Sequence, residues 1–465
     1  MIADLKPYAE YKESGLPWVG TVPANWGLLP NRGLVRRRKV LVGKHHGDYK
    51  LLSLTKQGVI VRDISTGKGK FSSDMGTSQH VREGDLVFCL FDVPETPRTV
   101  GLSRHDGMIT GAYTVLESLG RGSREYFELF YRAMDDRKLL SPLYSGLRHT
   151  IPAERFLGTK TPQPSLEEQD AIVRFLDWAN GRLDRAIRAK RKVIALLNEQ
   201  KRAIIHRAVT RGLDPFVPLR PSGIPWLGDI PSHWNVRRVK QVARLVRGKF
   251  SHRPRNDAPL YDGPYPFIQT GAVARAKKFI VHFSQTLNEK GLSVSKLFPK
   301  GTLCMTIAAN IGDVGILDFD SCFPDSIVGF ILMPELERDF LYLAFLCMKS
   351  EFLRDAPVNT QGNLNIERIG PQCIPFPELD EQKRILKCVE TETVSLDAVI
   401  ARAEREIDLL REYRTRLVAD VVTGKLDVRE AAAKLPVEEQ TDGVEEEIAD
   451  EAGEMMEEER SEPVG

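Results

Sequence analysis

The sequence predicts an α+β fold with a pseudo-two-fold internal repeat: two similar domains, mixed α/β and rich in β structure, each closed by a long helix. Three observations carry this. Ser14–Trp26 (SGLPWVGTVPANW) and Ser222–Trp234 (SGIPWLGDIPSHW) agree at seven of thirteen positions, at an offset of 208. Pro164–Asp214 and Pro377–Asp427 align without a gap at an offset of 213, with 16 of 51 positions identical. The regions between tag and closing segment share little sequence, yet their lengths differ by only five residues. One fold with divergent surfaces is the economical explanation. The chain then divides into a first domain with its tag (1–163), a central helix (164–215), a second domain with its tag (216–376), a distal helix (377–430) and an acidic tail (431–465).

The tags are rich in turn residues. Trp18, Trp26, Trp226 and Trp234 are expected to pack as a clasp at the opening of each half. In the first variable region Tyr49–Leu54 and Asp85–Phe91 read as strands and Glu125–Met134 as a helix. In the second, Gly301–Ala308 and Val314–Phe319 read as strands and Phe340–Phe352 as a helix. The closing segments are the clearest elements. Ser165 suits an N-cap, and the carboxylates of Leu166-Glu167-Glu168-Gln169 and Leu379-Asp380-Glu381-Gln382 suit the positive end of a helix dipole. Pro162, Pro164, Pro375 and Pro377 keep the chain before them extended. A 4-3 apolar spacing follows: Leu183, Ile187, Ile194, Leu197 and Ile204 in the first copy, Leu396, Ile400, Ile407, Leu410, Leu417 and Val421 in the second. This is a coiled-coil seam, interrupted by Lys190, Lys201 and Arg414. Asn180-Gly181 is expected to bend the first helix, and Gly212 and Gly424 to end the two helices. Arg182–Arg211 has ten Lys/Arg against two acids, and the aligned Ser395–Gly424 has five against six. A basic helix beside a mildly acidic one favours pairing of the two copies with each other.

The net charge of +2 conceals an asymmetry. Pro436–Gly465 carries 13 acids and one Arg, which leaves +14 on residues 1–435. A basic body points to a polyanion. The tail reads as a solubilising segment, with a nucleic-acid mimic as the sharper alternative. The six cysteines form neither CxxC nor a Cys/His ligand spacing, which fits a reducing cytoplasm and argues against a zinc site or a disulfide framework. No signal peptide is visible, and no apolar run approaches the roughly 18 residues of a membrane span.

Catalytic signatures are missing. There is no GxxxxGK[ST], no GxGxxG opening a βαβ unit, no HExxH and no Asn/Asp-Pro-Pro-aromatic tetrapeptide of an amino-methyltransferase. A nuclease carboxylate set can only be forced from Asp325 and Glu381. The chain therefore reads as a binding protein, with no catalytic and no metal-ligating residues expected. Basic and amide residues near glycines and aromatics are the DNA-binding candidates, because Arg and Lys reach phosphates or guanine while Asn and Gln pair with adenine. The first region offers Lys44, His45, His46, Lys56, Gln57, Arg62, Lys68, Lys70, Arg98, Arg104 and Arg148-His149. The second offers Arg247, Lys249, His252, Arg253, Arg255, Asn256, Gln269, Thr270, Lys277, Lys278 and Asn310. Each alone reads as a solvated surface charge. The cluster Arg247–Asn256 stands out, with six of ten residues Arg, Lys, His or Asn after an expected strand.

The two tags, together with GLRHTIPAERFLGTKTPQPSLEEQ (Gly146–Gln169) and GNLNIERIGPQCIPFPELDEQ (Gly362–Gln382) leading into the duplicated helices, resemble the specificity subunits of type I restriction-modification enzymes. The resemblance covers about 1–430. GDLVFCLFDVPETPRTVGLS and YDGPYPFIQTG also resemble variable segments of that family. It implies two target recognition domains, each reading half of a split DNA site and held apart by the two helices as an antiparallel coiled coil. It also implies partners: double-stranded DNA, two modification subunits that bind S-adenosylmethionine and methylate adenine, and restriction subunits that translocate and cleave DNA with ATP and Mg. Catalysis and cofactors would then belong to the partners. A scaffold that reads no DNA is the alternative, and a fused enzyme with an unrecognised active site a third possibility. Under the family reading the helices act as a ruler. Leu183–Val209 is 27 residues, about 40 Å of helix, and B-DNA advances roughly 34 Å per turn. The half-sites are then expected about a dozen base pairs apart.

Overall fold

The structure is a computed structural model that describes residues 5–62, 75–355 and 364–436. It divides into two compact units. The first combines the chain up to Lys190 with the segment from Glu404; the second is Arg191–Ala403. Each of the two long helices therefore contributes one part to each unit.

In the first unit the tag folds as a hairpin, Tyr11–Leu16 against Gly20–Pro23, in which the Ser14 hydroxyl accepts from the Leu16 N–H at 3.1 Å. Gly27–Pro30 then pairs with Lys160–Gln163, so both ends of the variable region leave from one two-stranded ladder. Between them a four-stranded antiparallel sheet runs in the order 35–37, 114–118, 86–88, 100–102. Helix Arg124–Asp136, capped by the Ser123 hydroxyl, lays Tyr126, Phe127, Phe130 and Tyr131 into the core. The second unit repeats this plan. Leu219–Pro221 pairs with Asp229–Pro231, and Asn235–Arg238 with Cys373–Phe376. Its larger sheet runs 243–247, 327–332, 303–306, 314–317 and ends on 279–280, followed by helix Arg338–Cys347. The first four strands correspond in order to those of the first unit. The expectation of one fold with divergent surfaces holds at the level of the sheet. A second set of strands corresponds as well: 285–287, 261–267, 321–322, 297–298 form one sheet in the second unit, while in the first the hairpin 58–61/52–55 meets the pair 107–109/79–81 only through the parallel bridge Leu51–Met108.

The repeated glutamine explains why both halves close alike. Gln169 is 2 % exposed; its carbonyl oxygen accepts from the Ser123 N–H at 2.8 Å, and its amide donates to the Pro164 carbonyl at 2.9 Å. Gln382 is 0 % exposed and does the same with the Glu337 N–H and the Pro377 carbonyl, both at 2.9 Å. One buried amide thus ties the first turn of a long helix to the N-cap of the core helix in each unit. A buried amide is tolerated only when so satisfied.

The long helices run Leu166–Arg211 and Leu379–Val422. Ser165 caps the first as expected, its hydroxyl accepting from the Glu168 N–H at 3.2 Å. The helix is continuous through Asn180-Gly181, so the expected bend is not a break. Asn180 remains in the helical hydrogen-bond ladder, and Gly181 with φ in the ordinary range costs only its propensity. Every expected seam residue is buried or half-buried. The basic residues that interrupted the seam form cross-helix ion pairs. In the first unit Arg414 pairs with Asp184 and Lys190 with Glu406. In the second, Lys201 pairs with Asp397 at 2.6 Å and Arg207 with Glu392 at 3.4 Å. In both units the partner number falls as the residue number rises, so the paired segments are antiparallel. Lys201–Asp397 and Asp184–Arg414 are the same pair related by the 213-residue offset. Towards its C-terminus the first helix rotates its apolar stripe onto Ile205, Ala208 and Val209, which join the second unit's core.

Helix ends and tags interlock. Gly212 and Gly424 have φ of +72° and +75°, the left-handed cap conformation expected of them. A Cβ on Gly424 would lie 2.3 Å from Pro23 Cδ and 3.0 Å from the Trp26 ring; on Gly212 it would lie 3.1 Å from the Trp234 ring. Trp26 and Trp234 are 0 % and 1 % exposed, and Trp18 and Trp226 are half-buried, so the tag tryptophans pack as the clasp expected. The last described segment also packs: helix Arg429–Ala433 buries Ala431 and Ala432 in the first unit's core.

Gly424→Ala should cost about 1–3 kcal/mol for the left-handed backbone, with a further loss from the collision with Pro23. Gly212→Ala, whose nearest neighbour is the tryptophan rim at 3.1 Å, should cost less; urea denaturation of the two variants gives the order. Asp184→Arg should destabilise by setting two guanidiniums together. The swapped pair Asp184→Arg with Arg414→Asp should recover most of the loss, and the recovery should stay within roughly 1 kcal/mol, the scale of a surface ion pair.

Candidate nucleic-acid interface

The candidates of the first unit lie mainly on its loops. Lys44 and His45 are exposed on the turn Gly43–Asp48, with His45 Nδ1 3.6 Å from Asp48. Lys56 and Gln57 are exposed at the tip of the hairpin Leu52–Thr55/Gly58–Val61, where the Gln57 N–H donates to the Thr55 hydroxyl at 3.2 Å. Arg62 follows that hairpin, half-buried. Arg104 is exposed between strands 100–102 and 107–109. Arg148 pairs with Asp92 at 2.5 Å and lies over the Phe91 ring. Lys68 and Lys70 lie outside the described residues. Arg98 is a correction. Its side chain is 13 % exposed and reaches Asp136 at 2.6 Å and Asp135 at 3.5 Å. Asp135, 2 % exposed, also accepts from the Thr99 N–H at 2.8 Å and from Lys138 Nζ at 2.7 Å. Arg98 neutralises a buried carboxylate and holds strand to helix; it is not a surface cation.

The second unit gathers its candidates more tightly. Residues 244–300 carry eleven Lys or Arg against three acids, a net of +8. The loop after strand Ala243–Arg247 is pressed onto Phe323-Pro324 at Gly248, where a Cβ would lie 2.2 Å from the Pro324 carbonyl oxygen. Phe250 is then buried against Phe267, ring centroids 5.1 Å apart, and Leu260 closes the same small core. Anchored at both ends, the loop leaves Arg247, Lys249, Arg253, Arg255 and Asn256 exposed and His252 half-buried. Side chains on it are fixed. Arg247 Nε donates to the Asp325 carbonyl, and Arg255 Nη2 to the Asp325 carboxylate, both at 2.6 Å. His252 pairs with Asp257 at 2.8 Å. Arg253 turns back onto the carbonyls of Phe250 and His252 at 3.0 and 2.9 Å, binding its own loop together.

Gln269 and Thr270 follow the strand Tyr261–Phe267, and the Gln269 amide donates to Gln285 Oε1 at 3.1 Å. A cleft of about 290 Å³ lies here, bounded by Phe250, Tyr261, Phe267 and Pro324 and by the polar Arg255, Asn256, Gln269 and Gln285. Lys277 is exposed before the edge strand. Asn310 is exposed on a turn whose neighbour Ala309 has φ +59°, away from the basic loop in sequence and element. Lys278 is half-buried, its side chain 41 % exposed. Its ammonium pairs with Asp339 at 2.9 Å and sits over the Phe279 ring, so it ties the edge strand to the start of the core helix. Burial pushes the Asp339 carboxyl up, but Lys278 and Arg338 outweigh it and hold the group below its usual range.

Two contributors escaped the sequence reading. Asp325 figured there only as a forced catalytic acid. It is a brace for two arginines, brought beside them because Arg247 faces Val328 across the ladder. Gln285 carried no signal, since its meaning comes from the strand pairing that sets it opposite Phe267. The other carboxylate of the forced pair, Glu381, pairs with His233 at 3.0 Å. No cluster of three or more His, Cys, Asp or Glu able to hold a metal exists among the described residues, and no described helix is long and apolar enough to cross a membrane.

The second unit thus sets a basic, braced loop beside an amide-rimmed cleft. Residues 231–398 match the family described as "Type I restriction modification DNA specificity domain". The putative type I restriction enzyme MjaX specificity subunit of Methanocaldococcus jannaschii is 25% identical over 278 residues, 58% of this chain and 60% of that protein. The MjaVIII specificity subunit of the same organism is 23% identical over 309 residues, covering 61% and 66%. The chain thus spans about two thirds or less of the length of these curated relatives. A solved chain of a type I R-M system, from work on its complex assembly and conformational transition, superimposes with a TM-score of 0.60 at 15% identity, covering 87% of this chain and 99% of that one; this likeness shows the fold. The resemblance read from the tags and closing helices is therefore supported by the matched domain and the relatives in sequence, and its fold by the structural likeness.

The Asp339 carboxylate, depressed in the folded state, adds stability at neutral pH that is lost as pH falls from about 4, its ordinary value, towards the depressed one. Urea midpoints between about pH 6 and about pH 3 should therefore fall more for the native chain than for Asp339→Asn. Parallel pH dependences would show that the Lys278 tie contributes nothing.

Proposed function

We propose that this chain is the sequence-specific DNA-binding specificity subunit of a type I restriction-modification complex. It reads a bipartite site and directs adenine methylation and ATP-dependent restriction by its partners. One observation carries the reading: two units share strand order, buried glutamine and tag clasp, while the loops on that common frame differ in length, charge and side chains. A frame duplicated with its surfaces left to diverge suits two readers of different half-sites. Supporting it are the matched specificity domain over 231–398 and the relatives' names.

In this reading the chain is not an enzyme. Two modification subunits bring S-adenosylmethionine, and restriction subunits bring ATP, Mg and the translocase and nuclease activities, all within the cytoplasm. The chain's own residues bind and orient. Lys44, Lys56, Arg104, Lys249 and Lys277 supply phosphate contacts, which set register without sequence information. The braced Arg247 and Arg255 and the amides Asn256, Gln269 and Gln285 face base edges. Bracing matters because a side chain already held in place loses less freedom on binding. A coiled-coil scaffold without DNA reading would need the helices but neither the basic loop nor its braces.

Bound to its modification subunits, the chain should select one bipartite sequence from duplex DNA. Lys249→Ala should weaken binding to all sequences alike and lower the salt slope by roughly one. Exchanging residues 27–160 for the corresponding region of another specificity subunit should change one half-site and leave the other. Absence of sequence selection in the native complex, or loss of both half-sites on exchange, would count against the proposal.

A further inference from the structure

Gln269 and Gln285 are held by different elements yet hydrogen-bond to each other. Gln269 follows Ile268, whose N–H donates to the Cys322 carbonyl at 3.0 Å, and stands before the short helix Thr270–Ala274. Gln285 opens the strand Gln285–Leu287 and pairs in register with Phe267. Phe267 and Leu287 are 2 % and 0 % exposed, so both backbones rest on a packed core while both amides are exposed. Each long side chain gives up rotamer freedom in forming the bond, and at an exposed site that costs more than the bond returns in stability. The pair calls for another explanation.

The bond orients both groups. Gln269 Nε2 donates to Gln285 Oε1 at 3.1 Å. That leaves the Gln269 carbonyl as an acceptor and the Gln285 amide as a donor on the rim of the cleft. Adenine presents the complementary pair in the major groove, a donor at N6 and an acceptor at N7. Guanine presents two acceptors there, so its O6 would oppose the Gln269 carbonyl. Cytosine offers a donor without the adjoining acceptor. The apolar lining of Phe250, Tyr261 and Pro324 suits the methyl group of the paired thymine. Arg255, fixed by Asp325 at 2.6 Å, sets a cation on the same rim.

We propose that Gln269 and Gln285, locked together by their mutual hydrogen bond, form a two-residue reader that selects one A·T base pair in the half-site of the second unit. The inference rests on the reading of the chain as a DNA-specificity subunit and adds which residues discriminate and for which base.

The test uses the full chain assembled with its modification subunits and a pool of randomised duplex DNA, from which the bound fraction is sequenced. Gln269→Ala and Gln285→Ala should each lower the preference for adenine at one position by roughly tenfold, the scale of losing part of a bidentate base contact. All other positions, including the other half-site, should keep their preferences, and the retained half-site reports that the complex is folded. Gln285→Glu keeps the shape but replaces the donor with an acceptor, and should move that position from adenine towards cytosine. A motif unchanged at every position in all three variants overturns the inference, as does an even loss across both half-sites. A native complex that selects no sequence overturns the parent reading, and the two-residue reader with it.

Discussion

The structure depends on a buried polar clasp at the junction of tag and helix. In the first unit the Trp26 indole donates to Glu168 at 3.0 Å, and the Tyr8 hydroxyl donates to the same oxygen at 2.6 Å. Glu168 is 3 % exposed, with Arg429 4.0 Å away and stacked over the Tyr8 ring. A carboxylate so placed must be satisfied on every side. Burial and the adjoining Glu168 hold the Tyr8 phenol protonated, so it can only donate. The residues that satisfy it come from the N-terminal tag, the start of the first long helix and the C-terminal segment. Satisfying one charge therefore gathers residues more than 400 positions apart, beside the apolar core in which both ends of the first unit already pack.

The second unit solves the same problem with a different polar arrangement. Trp234 packs against Gly212 as Trp26 packs against Gly424, but its indole nitrogen is buried without a partner, and Glu381 is held by the more exposed His233. The apolar half of the clasp is thus common to both units and the ionic half is not. Burial of two large aromatic rings supplies most of the attraction in either case.

This division between a common frame and varied detail extends to the exposed loops. The frame uses groups whose position is dictated by backbone pairing: buried amides, caps and strand ladders. The loops use groups whose position is dictated by neighbouring side chains, such as Arg255 on Asp325. Changing a loop leaves the frame's hydrogen bonds intact, so sequence drift in the loops carries little penalty for folding. The same logic explains why Arg98 and Lys278, indistinguishable in sequence from surface cations, serve the frame. Each lies beside a partly or wholly buried carboxylate that would be destabilising if left unpaired.

The sequence alone determined the duplication, the two long helices with their capping residues and glycine ends, the seam, and the packing role of the tag tryptophans. These are local or periodic properties, set by side-chain spacing and backbone preference, and a repeat states them twice. Only the tertiary structure decided that Lys201 and Arg414 pair with Asp397 and Asp184, because an ion pair across two helices depends on their direction and register. Only it decided that Gln285 meets Gln269 and that Asp325 braces two arginines, because those meetings follow from strand order between segments 16 to 78 residues apart. Charge and polarity are written in the chain; whether a given charge faces water or a buried acid is settled by what folds against it.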